Sequence, residues 1–183
     1  MAEVVVFHHA LGLTDWVRGF AGELRDAGHT VHTPDLFEGR TFDAIEGGMA
    51  HSEELGGPMA IVERARGAVE PLPSDAFYVG FSLGVLPAQS LAQTRPGARG
   101  AVLCYAALPL GRWGEKWPET WPDGVPLQLH ILEGDEDHEI AEQLAATVSR
   151  AELFVYSGTE HYFAEHDGEA AALLRRRVLA FLG

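Results

Sequence analysis

One cysteine, Cys104, stands in the 183 residues, so no internal disulfide framework holds this chain together, and a reducing compartment suits it. Long apolar runs are missing too. None approaches the roughly 20 residues needed to span a bilayer. The opening Met-Ala-Glu-Val-Val-Val-Phe has neither the basic start nor the apolar length of a secretory signal, and the expectation is a cytoplasmic protein. Positive charge is scarce. Lys and Arg number 13 against 27 Asp and Glu, a formal net charge of −14, which repels phosphate groups and excludes nucleic acid and anionic membrane as expected partners. There is no internal repeat and no low-complexity tract. What remains is 46% apolar and 22% charged, the make-up of one compact domain over residues 1–183.

Apolar runs alternate with helical patterns, which predicts βαβ units and a parallel sheet. Val4–Phe7 is continuously apolar and β-branched, as a buried strand is. A helix over 14–27 follows, with Thr14 as its N-cap and Gly28 ending it. Further strands are predicted at 30–33, 77–79, 100–105, 127–132 and 153–156, and further helices at 58–69, 83–94, 140–150 and 169–181. In the last of these Ala172, Leu173, Val178 and Leu182 are expected to face the sheet. The segment 42–55 is ambiguous, because Phe42, Ile45 and Met49 have helical spacing but Gly47-Gly48 weakens a helix. Residues 106–126 form a long connection with Trp113, Trp117 and Trp121. The expectation is an α/β fold of about six mainly parallel strands with helices on both faces.

Between the strand ending at Val79 and the helix that follows lies Gly80-Phe81-Ser82-Leu83-Gly84. Gly-x-Ser-x-Gly in that setting is the nucleophile elbow of α/β-hydrolases, a strand-to-helix turn that lifts the serine above the sheet on strained backbone. A serine hydroxyl needs a base to take its proton and an acid to orient that base. In this layout they follow in the order Ser, Asp or Glu, His, each after a strand. After the strand 127–132 the chain reads Glu133-Gly134-Asp135-Glu136-Asp137-His138. A turn at Gly134 favours Asp137 as the acid, with Asp135 next. After the final strand comes His161, the base. The oxyanion donors fall at the amide of Leu83 and at the loop after the first strand, at Ala10. His8, His9 and Leu11 of that loop border the substrate pocket, and Trp113 is set as a neighbour of it against the alternative that the tryptophans only pack. Cys104 and His130, inside strands, read as core residues. A metal site built from 135–138 with His8 and His9 is set aside, since adjacent residues rarely converge on one ion.

These residues together resemble the dienelactone hydrolase family of the α/β-hydrolases. The similarity runs from Val4–Gly12 through Thr33-Pro34-Asp35-Leu36-Phe37 and the elbow to 134–138 and 158–164. It implies a triad of Ser82, Asp137 and His161, oxyanion donors Ala10 and Leu83, no cofactor and no metal. Arg40 matches the first of two arginines that hold a substrate carboxylate in that family; the second falls at Glu165. Family members best known use a cysteine where Ser82 stands, and His9 takes the place of a glutamate that contacts it. The chain opens directly at a core strand, which implies a reduced version whose pocket is shallow or covered by 106–126 and 41–57. The function expected is hydrolysis of a small ester or lactone through an acyl-enzyme; the alternative is a non-catalytic scaffold that binds a small ligand. A homodimer is left open.

Overall fold

The computed structural model describes residues 1–166 and 168–183. Six strands form one sheet in the order β2-β1-β3-β4-β5-β6, every neighbouring pair parallel. They are β1 (Glu3–Phe7), β2 (Thr30–His32), β3 (Ala76–Phe81), β4 (Gly100–Cys104), β5 (Leu127–Leu132) and β6 (Ala151–Tyr156). The helices are α1 (Asp15–Asp26), α2 (Ile45–Glu54), α3 (Gly57–Val69), α4 (Val85–Thr94), α5 (His138–Thr147) and α6 (Glu169–Leu182). The central strands β3, β4 and β5 are buried at every position, which explains why their sequence is continuously apolar rather than alternating.

The two faces of the sheet carry separate cores. One gathers Val4, Val6, Val79 and Val102 with Val17, Phe20 and Leu24 of α1 and Leu174, Val178 and Leu182 of α6. The other gathers Val5, Phe7, Tyr78 and Leu103 with residues of α3, α4 and α5. Thr14 caps α1 as its position implies, its Oγ1 accepting from the Val17 amide at 3.5 Å. In α6 the buried stripe is Ala171, Leu174, Val178 and Leu182, while Ala172 is exposed and Leu173 half-buried. The expected stripe was therefore one residue out at its start. A spacing of three, four and four keeps the observed set on one face of a 3.6-residue helix.

The chain starts in the sheet at β1 and reaches β2 on one side, then β3 on the other. Loops leaving β1 and β3 therefore diverge at their carboxyl ends and open a crevice there, the usual site of ligands in such sheets. Ser82 stands at that point, on the turn between β3 and α4. No helix among the described residues is long and apolar enough to cross a membrane.

The elbow depends on two close backbone approaches. A Cβ on Gly80 would overlap the Gly84 carbonyl, and one on Gly84 would overlap the Phe7 carbonyl and lie 2.7 Å from that of His8. Helix α4 thus runs against the end of β1 with no room for a side chain. Gly84→Ala should destabilise the fold by roughly 2–3 kcal/mol, the scale of overpacking in a rigid core. Urea denaturation measures this; a variant as stable as the parent would show that the contact can relax.

Candidate active site

The elbow holds Ser82 at φ +49°, one of three non-glycine residues with positive φ among those described. This is the strained turn the motif demands, and it leaves Ser82 partly exposed above the sheet. The His161 Nε2 lies 3.1 Å from Ser82 Oγ. On the far side of the imidazole, Nδ1 lies 3.4 Å from Asp135 Oδ2. That second contact is long, as such bonds commonly are before substrate arrives. A proton on Nδ1 facing the carboxylate leaves Nε2 free to accept from the serine hydroxyl.

The carboxylate against His161 is thus Asp135, and the expected placement of Asp137 there is corrected. The chain turns immediately after β5, with the Asp135 amide donating to the Leu132 carbonyl at 3.2 Å, so position 135 already points back at His161. Asp137 stands at the start of α5, and its Oδ2 accepts from the Ala107 amide at 3.3 Å. The two carboxyls are also tuned apart. Burial opposes ionisation of Asp135, but the hydrogen bond of His161, the Asp137 amide and the nearby imidazoles outweigh it and hold its carboxyl below the usual range. For Asp137 burial, with the charges of Asp135 and Glu136, prevails over the Ala107 amide and Arg112, and its carboxyl is pushed up. A carboxylate that must stay charged beside an imidazolium is better served by the first environment.

The loop after β1 passes beside the elbow. Leu83 is the second residue of the short 3₁₀ turn Ser82–Gly84, so its amide is among the unpaired donors of a helical start. Ala10 is wholly buried, and its N–H makes no hydrogen bond among the described residues. Its carbonyl is packed against α2, where a Cβ on Gly48 would overlap it. The ambiguous Gly47-Gly48 segment is therefore a helix, and its second glycine exists for this contact rather than to break the helix. Leu11 is partly exposed at the same rim.

His8 and His9 do not line a pocket. His8 is 1% exposed. Its Nδ1 donates to the His9 carbonyl at 2.8 Å and its Nε2 accepts from the Leu36 amide at 3.1 Å. The Asp35 side chain in turn accepts from the Phe37 and Gly39 amides. His8 and the Pro-Asp-Leu-aromatic segment are thus two halves of one loop clasp. His9 is wholly buried; its Nδ1 accepts from the Leu11 amide at 3.2 Å, which leaves the proton on Nε2. That atom sits 2.9 Å from Glu165 Oε1, close enough to pair electrostatically though not aligned as a hydrogen bond. Two of the positions at which this chain departs from the pattern the resemblance implies, His9 and Glu165, are therefore in contact with each other.

Arg40 lies over the Phe42 ring, and its guanidinium is directed to His51 and Glu54 rather than to Ser82. Trp113 packs edge-on against Trp117 at 5.0 Å, with Arg112 over its ring. Neither residue touches the triad groups among the described contacts. Cys104 is wholly buried in β4 and burial pushes its thiol up, so it is inert. His130 is committed to the Tyr156 hydroxyl at 2.7 Å and the Gln128 side chain at 2.9 Å. Tyr162, which sequence reasoning passed over, is wedged between His9 and His161, ring centroids 4.8 and 4.9 Å away. Its place directly after the base was the only signal available.

The dienelactone hydrolase family profile matches residues 1–183. The chain belongs to the dienelactone hydrolase family. No curated protein matches it. Among solved structures it is similar to a dienelactone hydrolase-like promiscuous phosphotriesterase from metagenomic libraries, at 18% identity and a TM-score of 0.74, covering 100% of this chain and 85% of that one. A dienelactone hydrolase from Anabaena variabilis superposes with 17% identity and a TM-score of 0.72 over 98% of this chain and 85% of its own. A cold-adapted esterase from an Arctic intertidal metagenomic library gives 14% and 0.70, over 100% and 83%. At these identities the likeness establishes the α/β-hydrolase fold.

The His8 clasp makes a pH prediction. Burial lowers the His8 pKa from 6.5 to about 4, against the raising influence of the His9 carbonyl and Asp35. The unfolded chain therefore takes up a proton near pH 6.5 that the folded one refuses until about pH 4. Stability is full above the unfolded pKa and falls through this window as the solution is acidified. His130, lowered to about 3 by burial and by Arg177, adds a loss of the same sign. His8→Gln should cost stability at pH 7 but lose less between pH 7 and 4.5 than the parent does. Parallel urea curves at the two pH values measure the difference, and identical pH slopes would overturn the assignment.

Proposed function

We propose that the protein is a serine hydrolase that cleaves a small carboxylic ester or lactone through an acyl-enzyme. The observation that carries this reading is the unbroken line Ser82 Oγ, His161, Asp135, with contacts of 3.1 and 3.4 Å at a strained elbow. His161 Nε2 takes the hydroxyl proton as Ser82 Oγ bonds to the substrate carbonyl carbon, and Asp135 stabilises the imidazolium. The negative charge that moves to the carbonyl oxygen is met by the amides of Leu83 and Ala10, each such donor contributing roughly 3 kcal/mol to the transition state. The imidazolium proton passes to the departing alcohol. Water, activated by the same imidazole, then attacks the acyl carbon, and the Ser82 oxygen leaves with the proton returned.

The substrate is proposed to be neutral. Among the described residues the carboxylate of Asp135 stands against His161 and that of Glu165 against the neighbouring His9, while Arg40 is directed to His51 and Glu54. A substrate carboxylate would meet this field unfavourably, and the chain's net charge of −14 opposes anions further.

Ser82→Ala should abolish labelling by a fluorophosphonate probe and lower hydrolysis of short p-nitrophenyl esters at least about 10³-fold. A folded parent protein with neither labelling nor hydrolysis would return the scaffold reading, in which the fold only binds a ligand. Asp135→Asn should lower kcat about 10³- to 10⁴-fold, because the imidazole loses the partner that sets its tautomer. Asp137→Asn should cost little by comparison. The reverse ranking of the two variants would restore Asp137 as the acid.

A further inference from the structure

The peptide between His9 and Ala10 is held by its carbonyl. That oxygen accepts from the His8 Nδ1–H at 2.8 Å and from the Gly12 amide at 3.0 Å. The second bond closes a tight turn from His9 to Gly12, with Ala10 and Leu11 at its corner. A trans peptide is planar, and its C=O and N–H point in opposite directions. Two donors on the His9 oxygen therefore aim the Ala10 N–H outward from the turn, where it has no partner among the described residues. The next peptide is fixed as well. Its Leu11 N–H donates to His9 Nδ1 at 3.2 Å, and its Ala10 carbonyl lies under the close approach of Gly48.

The geometry also assigns the proton on His8. Nε2 accepts from the Leu36 amide at 3.1 Å, and a backbone N–H can only donate, so Nε2 is bare. Burial keeps the ring neutral at pH 7, its pKa lowered to about 4. The single ring proton is therefore on Nδ1, facing the His9 carbonyl. Rotating the His9–Ala10 peptide by half a turn would put the carbonyl where the N–H points. It would also take the partner from Nδ1–H, on an imidazole only 1% exposed, and an unpaired donor buried this deeply is costly.

We propose that His8 is a positioning residue for the oxyanion hole: its Nδ1–H locks the His9–Ala10 peptide so that the Ala10 amide, and not the His9 carbonyl, faces the substrate oxygen. This rests on the acyl-enzyme reading above. His8 touches no reacting atom and transfers no proton. It fixes the direction of the donor, so the oxygen that gains charge meets an N–H already turned toward it, in acylation and deacylation alike. The other ring nitrogen ties this lock to the Leu36 amide, in the loop after β2.

Two substitutions separate the two nitrogens. In His8→Asn the side-chain amide nitrogen falls near the place of Nδ1 and keeps the donor to the His9 carbonyl. In His8→Gln the side-chain oxygen reaches the place of Nε2, which keeps the Leu36 bond and loses the donor. Both are assayed with p-nitrophenyl acetate and with its thiono analogue, in which sulfur, a poor hydrogen-bond acceptor, replaces the carbonyl oxygen. In His8→Gln kcat/KM for the ester should fall roughly tenfold to a hundredfold, and that for the thionoester far less, so the ratio of the two contracts. His8→Asn should recover much of that ratio. An unchanged ratio in His8→Gln, or one as contracted in His8→Asn, would overturn the proposal and leave His8 a structural clasp alone. Nitrogen-15 shifts of the parent's His8 ring decide the matter where the variants fail to fold: the proposal requires the proton on Nδ1, and the opposite tautomer sinks it. A parent protein that releases no p-nitrophenolate would remove the acyl-enzyme reading itself, and this one with it.

Discussion

The site depends on one steric constraint: the backbone of the elbow helix lies directly on the end of the first strand. Gly84 has the Phe7 and His8 carbonyls where a side chain would be, and Gly80 has Gly84. Because these segments touch backbone to backbone, the serine between them is forced to φ +49° and upward out of the sheet. The same contact brings the loop after β1 beside the elbow, so the positions of Ala10 and Leu83 are set by the packing that positions Ser82. Gly48 repeats the device one layer out, seating α2 on the Ala10 carbonyl. Preorganisation here is a matter of excluded side chains before it is one of hydrogen bonds.

Electrostatics then sorts the acidic residues that crowd the site. Asp135 and Asp137 are two positions apart and similarly half-buried, yet their carboxyls move in opposite directions. The difference lies in what each accepts from: the imidazole of His161 and a backbone amide for Asp135, a backbone amide beside two further carboxylates for Asp137. His9 and Glu165 form the second balance. The buried imidazole uses one nitrogen to hold the Leu11 amide and the other to face the carboxylate. It thereby links the loop that offers an oxyanion donor to the loop that carries His161.

The order of the site along the chain was legible because parallel strands place functional loops in a fixed succession. Ser82 was read from the Gly-x-Ser-x-Gly turn and His161 from the succession of strands, and the structure brings them within hydrogen-bond reach. The choice between two carboxylates was not legible, since it turns on whether the chain reverses at Gly134 or a residue later. The role of Gly48 was equally hidden. A glycine in a helix reads as weakness until the partner that approaches it is known, and Ala10 is 38 residues away in sequence. His8 and Arg40, in the loops after β1 and β2, were misplaced for a related reason: the direction of a side chain is decided by neighbours such as the Leu36 amide and Glu54.

Asp137 instead helps to fix the connection that follows β4. Its carboxylate holds the Ala107 amide, the first turn of the long connection 106–126. The elbow helix holds the same connection further on. Gln89, wholly buried, exchanges two hydrogen bonds with the backbone of Leu108, and Gln93 donates to the carbonyl of Thr120 at 2.8 Å. A buried amide is costly unless matched, and Gln89, matched at both its nitrogen and its oxygen, fixes the segment in one place. The helix that presents the serine therefore also anchors the connection leaving the next strand. A change in the Trp- and Pro-rich segment would thus reach Ser82 through α4 without touching it.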